Sequence, residues 1–158
     1  MEVSRMITVD TQACLVPLPL AVIVAEKHPL ARAALAALLS YDGCRVFRAD
    51  SPKAAISLID SVSSLAVLLA DLDMPEWQSV VQHAVQRTDA LIIAMEEHQP
   101  ISKLYDMKAC GIRLCLEKPI NYSVLQTAIW NQLGLRYAPK LALNRRSVDQ
   151  QQKTAIAF

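Results

Sequence analysis

At 158 residues, of which 53% are hydrophobic and 20% charged, the chain suits one domain with a proper core and is too apolar to be disordered throughout. A formal net charge of +1 supplies no general attraction for nucleic acid, and only 3 glycines argue against a glycine-rich phosphate cradle. The 4 cysteines, Cys14, Cys44, Cys110 and Cys115, contain no C-x-x-C pair and match neither a zinc site nor a disulfide framework. They read as small buried apolar residues in a reducing, cytoplasmic setting.

Residues 1–19 show no helical periodicity and read as an N-terminal extension. Leu15 to Ala25 is apolar and preceded by Arg5, but Pro17 and Pro19 interrupt it, so no signal peptide is expected. No segment supplies the roughly 20 apolar residues of a membrane span. Five short aliphatic or β-branched runs then recur between helical patterns: Ala21–Ala25, Arg45–Arg48, Leu65–Ala70, Leu91–Met95 and Arg113–Leu116. Strands alternating with helices imply a parallel sheet built from right-handed crossovers, and runs that are apolar without alternation imply strands covered on both faces.

The expected helices lie between these strands. Pro29 precedes Leu30–Leu39, while Ser51 and Pro52 offer an N-cap and a first-turn proline for Lys53–Ile59. Gln78–Gln86 carries Val81, Ala84 and Val85 at helical spacing, and Ile101–Ala109 carries Ile101, Leu104 and Tyr105. Asn121 caps a last helix with a stripe of Val124, Leu125, Ala128, Ile129 and Leu133. The fold class expected is α/β: a five-stranded parallel sheet flanked by five helices, doubly wound in the flavodoxin-like manner, over residues 20–134. Residues 135–158 form a basic tail, with Arg136, Lys140, Arg145, Arg146 and Lys153 against the lone acid Asp149.

Three strand ends carry charged motifs: A-E-K-H-P from Ala25, D-L-D-M-P from Asp71, and E-K-P from Glu117. Together they resemble the receiver domain of two-component response regulators, across about residues 20–134. The aspartate four places before the Met-Pro proline accepts phosphate in that family, which falls on Asp71, and the lysine before proline after the fifth strand falls on Lys118. The resemblance further implies Mg²⁺ to neutralise the phosphoryl oxygens, a Thr or Ser ending the fourth strand that moves to hydrogen-bond the phosphate, and an aromatic switch residue on the fifth strand.

The chain departs from the pattern at three of these positions. Lys27 stands where a second acid would be the metal ligand beside Glu26, Glu96 follows the fourth strand in place of the hydroxyl, and Cys115 takes the place of the aromatic. Exchanging a carboxylate for an ammonium swings the pocket by about two charges, and one unit charge at 4 Å is worth roughly 4 kcal/mol at an effective dielectric of 20. Counting Glu26, Lys27, Asp71 and Lys118 gives about zero net charge, against about −2 for the family arrangement. Mg²⁺ is therefore expected only as a weak ligand of Glu26, Asp71 and Asp73, and only if phosphorylation is retained; otherwise no cofactor is implied. Lys27 is offered as a built-in counterion for Asp71, and Glu96 as a carboxylate that repels phosphate or pairs with Lys27 or Lys118.

About 25 residues after the domain are too few for a helix-turn-helix, so output is expected through protein contact. The expectation is an atypical, stand-alone, non-enzymatic receiver in phosphorelay-type signalling, with phosphorylation of Asp71 weakened or lost. Its partner would be a histidine kinase, a phosphotransfer protein, a downstream effector or a second copy in a homodimer, on the surface of Lys103, Lys108, Arg113, Tyr122, Gln126 and Trp130. One alternative is a receiver still phosphorylated with Mg²⁺. Another is an accessory nucleic-acid-binding protein using the basic tail, although nucleic acid is not the favoured partner.

Overall fold

The computed structural model describes residues 19–97, 106–133 and 155–157. In chain order these form β1 (Ala21–Ala25), α1 (Pro29–Tyr41), β2 (Arg45–Ala49), α2 (Pro52–Ser61), β3 (Leu65–Asp71), α3 (Trp77–Arg87) and β4 (Leu91–Glu96). Then come the helical residues 106–109, here α4, followed by β5 (Leu114–Glu117), α5 (Tyr122–Gln132) and β6 (Ala155–Ala157). The expected helix at Ile101–Ala109 is described only over its last residues.

The sheet runs in the order β2-β1-β3-β4-β5-β6. The first five strands are parallel, as expected, and β6 adds a sixth, antiparallel strand from the tail. That strand was not among the sequence expectations. Because the chain leaves β1 outward to β2 and returns to β3 on the other side, a crevice opens at the carboxyl ends of β1 and β3, where doubly wound sheets place their sites.

Alternate residues of each strand feed opposite cores, the two-residue period of an extended chain. Ile23, Leu68, Ile92 and Cys115 pack against Ala55 and Ile59 of α2, Val80, Val81 and Ala84 of α3 and Met107 of α4. Val22, Val24, Leu69, Ile93 and Leu116 face Leu35 and Leu39 of α1 and Val124, Leu125 and Ile129 of α5. Both faces are thus covered, which accounts for the unbroken burial of β1, β3 and β4.

Local signals act where the sequence placed them. The Ser51 side chain accepts a hydrogen bond from the Ala54 N–H at 3.2 Å, and Asn121 Oδ1 accepts from the N–H groups of Ser123 and Val124. Each satisfies donors that the first helical turn leaves open. On α3, Val85 is exposed although its neighbours Val81 and Ala84 are buried. A further tie joins α1 to α5: the Tyr122 hydroxyl donates to Asp42 Oδ2 at 2.6 Å, and Gln126 Nε2 donates to the same oxygen.

Candidate functional site

Each charged residue of the site stands at, or just beyond, the carboxyl end of a parallel strand. Glu26 follows β1, Asp71 ends β3, Glu96 ends β4 and Lys118 follows β5. Among the described residues, Glu26, Asp71 and Glu96 are the buried charged ones, each 1% exposed. Burying a carboxylate is costly unless charge and hydrogen bonds compensate, so their surroundings decide what the site can do.

Lys118 supplies most of the compensation. Its ammonium donates to Asp71 Oδ1 at 2.8 Å, lies 3.1 Å from Glu26 Oε2 and 3.4 Å from Glu26 Oε1, and reaches Asp73 Oδ2 at 3.3 Å. The shorter Glu26 contact is charge attraction only, because Oε2 accepts no aligned hydrogen bond. Asp71 is also held by the backbone: Oδ1 accepts from the Asp73 N–H at 2.9 Å and Oδ2 from the Lys27 N–H at 3.1 Å. Burial pushes the Asp71 carboxyl up, but the Lys118 hydrogen bond, the two backbone N–H groups and the Lys118 charge outweigh it and hold the group below the ordinary carboxylate value. Burial likewise depresses Lys118, and its hydrogen bonds and attraction to Asp71 and Glu26 more than restore it, so it stays protonated above the ordinary lysine value.

The expected role of Lys27 is corrected. Its ammonium is not the counterion of Asp71: the side chain is exposed and donates to the backbone carbonyl of Asp73 at 3.2 Å, and only its N–H meets Asp71. Glu26 is buried, whereas Lys27, in the bend that follows β1, is exposed. Asp73 joins the site, half-buried, and also accepts from the Glu97 N–H at 3.3 Å. Glu96 meets Lys118 through its backbone, its carbonyl accepting from the Lys118 N–H at 2.8 Å. Cys115 lies one strand layer back, fully buried among the α2–α3 core residues.

Sequence reasoning missed Arg32. One turn into α1, its guanidinium donates to the Glu26 carbonyl at 2.8 Å and the Lys27 carbonyl at 3.3 Å, fixing the loop that carries both residues. The His28 N–H donates to Glu26 Oε1 at 2.9 Å, so His28 acts through its backbone at the start of α1. The remaining histidine within the described residues, His83, pairs with Asp60 at 2.8 Å, away from the site.

Mg²⁺ would require near-octahedral oxygen donors at about 2.0–2.1 Å, and the side-chain oxygens gathered here are those of Glu26, Asp71 and Asp73. Three carboxylates already converge on one ammonium, and a second ammonium occupies the Asp73 carbonyl oxygen. Among the described residues no group of three His, Cys, Asp or Glu is arranged to hold a metal.

Beside the site lies a cavity of about 650 Å³ between α1 and the β5–α5 connection, with Glu26, Lys27 and Lys118 at one side and Leu35, Leu38 and Ile120 along another. The outer face of α1 also exposes Leu30, Leu38 and Tyr41. Of the surface named from sequence, Lys108 and Arg113 are exposed, whereas Tyr122 and Gln126 are half-buried against Asp42 and Trp130 is half-buried against the α1–α5 core. Lys103 lies outside the described residues. No helix among the described residues is long and apolar enough to cross a membrane.

Among solved structures, a CheY-like response regulator receiver domain from Methanospirillum hungatei is 15% identical with a TM-score of 0.67, covering 72% of this chain and 93% of its own. A Burkholderia pseudomallei response regulator carrying a phosphorylated aspartic acid and a calcium ion is 19% identical at a TM-score of 0.66, covering 79% of this chain and 75% of its own. A Saccharomyces cerevisiae response-regulator receiver domain, solved with its histidine phosphotransfer protein, is 17% identical at 0.62, covering 70% and 86%. No curated protein matches the chain. The model of the response regulator receiver domain matches residues 22–130, and with strand order and site position in agreement the chain belongs to that family.

Proposed function

We propose that this chain is an atypical receiver that works by protein contact in two-component or phosphorelay signalling, in the cytoplasm and without catalysing turnover, with phosphorylation of Asp71 weakened or lost. The observation that carries this reading is the Lys118 ammonium set within 3.4 Å of the carboxylates of Glu26, Asp71 and Asp73. Such an arrangement satisfies the pocket without a divalent cation. Both Asp71 oxygens are engaged by N–H donors, so a phosphoryl group could be taken up only with those contacts rearranged.

The partner contact is supported by the α1 face. Exposed Leu30, Leu38 and Tyr41 lie along α1, which begins at the site and leads away from it, and exposed apolar side chains on one helix suit a protein interface. A receiver-like relative has been solved with its histidine phosphotransfer protein, and a partner of that class is the one we favour here.

The test is incubation with Mg²⁺ and acetyl phosphate, reading hydroxylamine-labile phosphate on the wild type and on Lys27→Asp. We expect no label on the wild type; label on the variant alone would assign the silencing to the Lys27 position at the mouth of the crevice. Stoichiometric labelling of Asp71 in the wild type would restore an ordinary Mg²⁺-dependent receiver.

A further inference from the structure

β5 would form the sheet's outer edge were it not for β6, whose three residues pair antiparallel with it: Leu114 opposite Ala157, Cys115 opposite Ile156 and Leu116 opposite Ala155. Every other pairing in the sheet is parallel. The slot therefore takes a strand by addition from outside the βα succession, and it ends one residue before Glu117 and two before Lys118. Leu114, Cys115 and Leu116 are all buried, so the edge offers a row of backbone N–H and C=O groups beside an apolar surface. That is the condition under which sheets accept an added strand.

The occupant suits the slot. Ala155-Ile156-Ala157 is uncharged, small and centred on a β-branched residue, whereas the preceding stretch holds Arg136, Lys140, Arg145, Arg146 and Lys153. Residues 134–154 connect α5 to β6, and a segment of that length reaches on the order of 70 Å when extended. That spans far more than the width of the sheet. Closure cost rises slowly with length, so the tie to its own chain favours pairing within the molecule only by an effective concentration on the order of millimolar.

We infer that the β5 edge is a strand-acceptor site, filled by Ala155–Ala157 of the same chain and open to the same segment of a second copy. Reciprocal exchange then gives a two-fold dimer in which each copy supplies the strand that closes the other's sheet. The site depends on neither metal nor phosphate, so its fate is independent of the reading of Asp71.

Cys115 lies opposite Ile156, and directly opposed antiparallel residues have Cα atoms about 4.5–5.5 Å apart, within disulfide range. In full-length chains with Cys14, Cys44 and Cys110 changed to Ser, a donor carrying Ile156→Cys and Cys115→Ser is mixed with a tagged acceptor that keeps Cys115 and Ile156, then oxidised mildly. A mixed disulfide can form only between copies. We expect it to grow with protein concentration toward the millimolar range, and its absence at the highest concentration would overturn the exchange even if a single chain carrying Ile156→Cys closes on itself. As a second measurement, Ile156→Pro removes a ladder N–H, and amide exchange at Cys115, opposite it, should quicken at least tenfold while β1 is unchanged. Equal exchange in both proteins would overturn the acceptor site itself.

Discussion

Removing the Lys118 ammonium would leave Glu26, Asp71 and Asp73 facing one another with no cation among them. Lys118→Met should therefore destabilise the fold by about 3 kcal/mol at pH 7, the scale on which breaking a buried ion pair is felt. The sign of the pH effect follows from Asp71, whose folded carboxyl lies below the ordinary value of 3.8. Its contribution in the wild type is present above that value and is lost as pH falls through the lower folded one. In Lys118→Met, burial without its main counterion raises the same carboxyl, so acid favours the folded variant. Urea midpoints at pH 4 and pH 7 should show the gap between the two proteins narrowing toward acid, and a gap that widens would contradict the ion-pair account. At the alkaline end Lys118 is raised, so its contribution is complete below the ordinary 10.5 and disappears only as pH climbs through its higher folded value. The site residues were legible from their places at strand ends, because a parallel sheet brings those ends together whatever the details. The direction of Lys27 was not, since it depends on where the extended chain of β1 stops alternating.

Among the elements, the α1–α5 tie rests on Asp42, which accepts from both Tyr122 and Gln126. Burial, the Asp42 hydrogen bond and the Asp42 charge all push the Tyr122 phenol far above its ordinary value. Tyr122→Phe should cost about 1.5 kcal/mol, as for a hydrogen bond to a charged group, read as a lower thermal midpoint. In a spectrophotometric titration of the wild type one tyrosine should resist ionisation until the fold opens, and this resistance should vanish in the variant. The five parallel strands and their helices were visible as apolar runs punctuated by Ser51, Pro52 and Asn121, each of which caps or starts a helix as expected. The tie was not visible, because Asp42 and Tyr122 lie far apart in sequence and meet only after the sheet has placed α1 and α5 on one face. β6 escaped notice for a different reason: three residues are too few for any period to show.

For the molecule as a whole, one sheet serves two cores, and each core carries its own tryptophan. Trp77 is buried with the α2–α3 side, and Trp130 packs against the α1–α5 side. Shared strands make the layers interdependent, so denaturation followed in Trp77→Phe and Trp130→Phe should give curves that superimpose once each variant's midpoint is matched by circular dichroism. Separate transitions would mean that the layers melt independently. The two borders of the sheet are guarded by unlike means. Along β2, Arg45 and Arg48 are exposed, with the Arg45 guanidinium 5.7 Å from the Phe47 ring, and charge alone discourages lateral growth there. Along β5 no such charges intervene between Leu114 and Leu116, and the chain's last strand closes the border itself. Ala155–Ala157 thus cover the border whose own strand is apolar from Leu114 to Leu116, leaving β5 no open ladder for a neighbouring molecule.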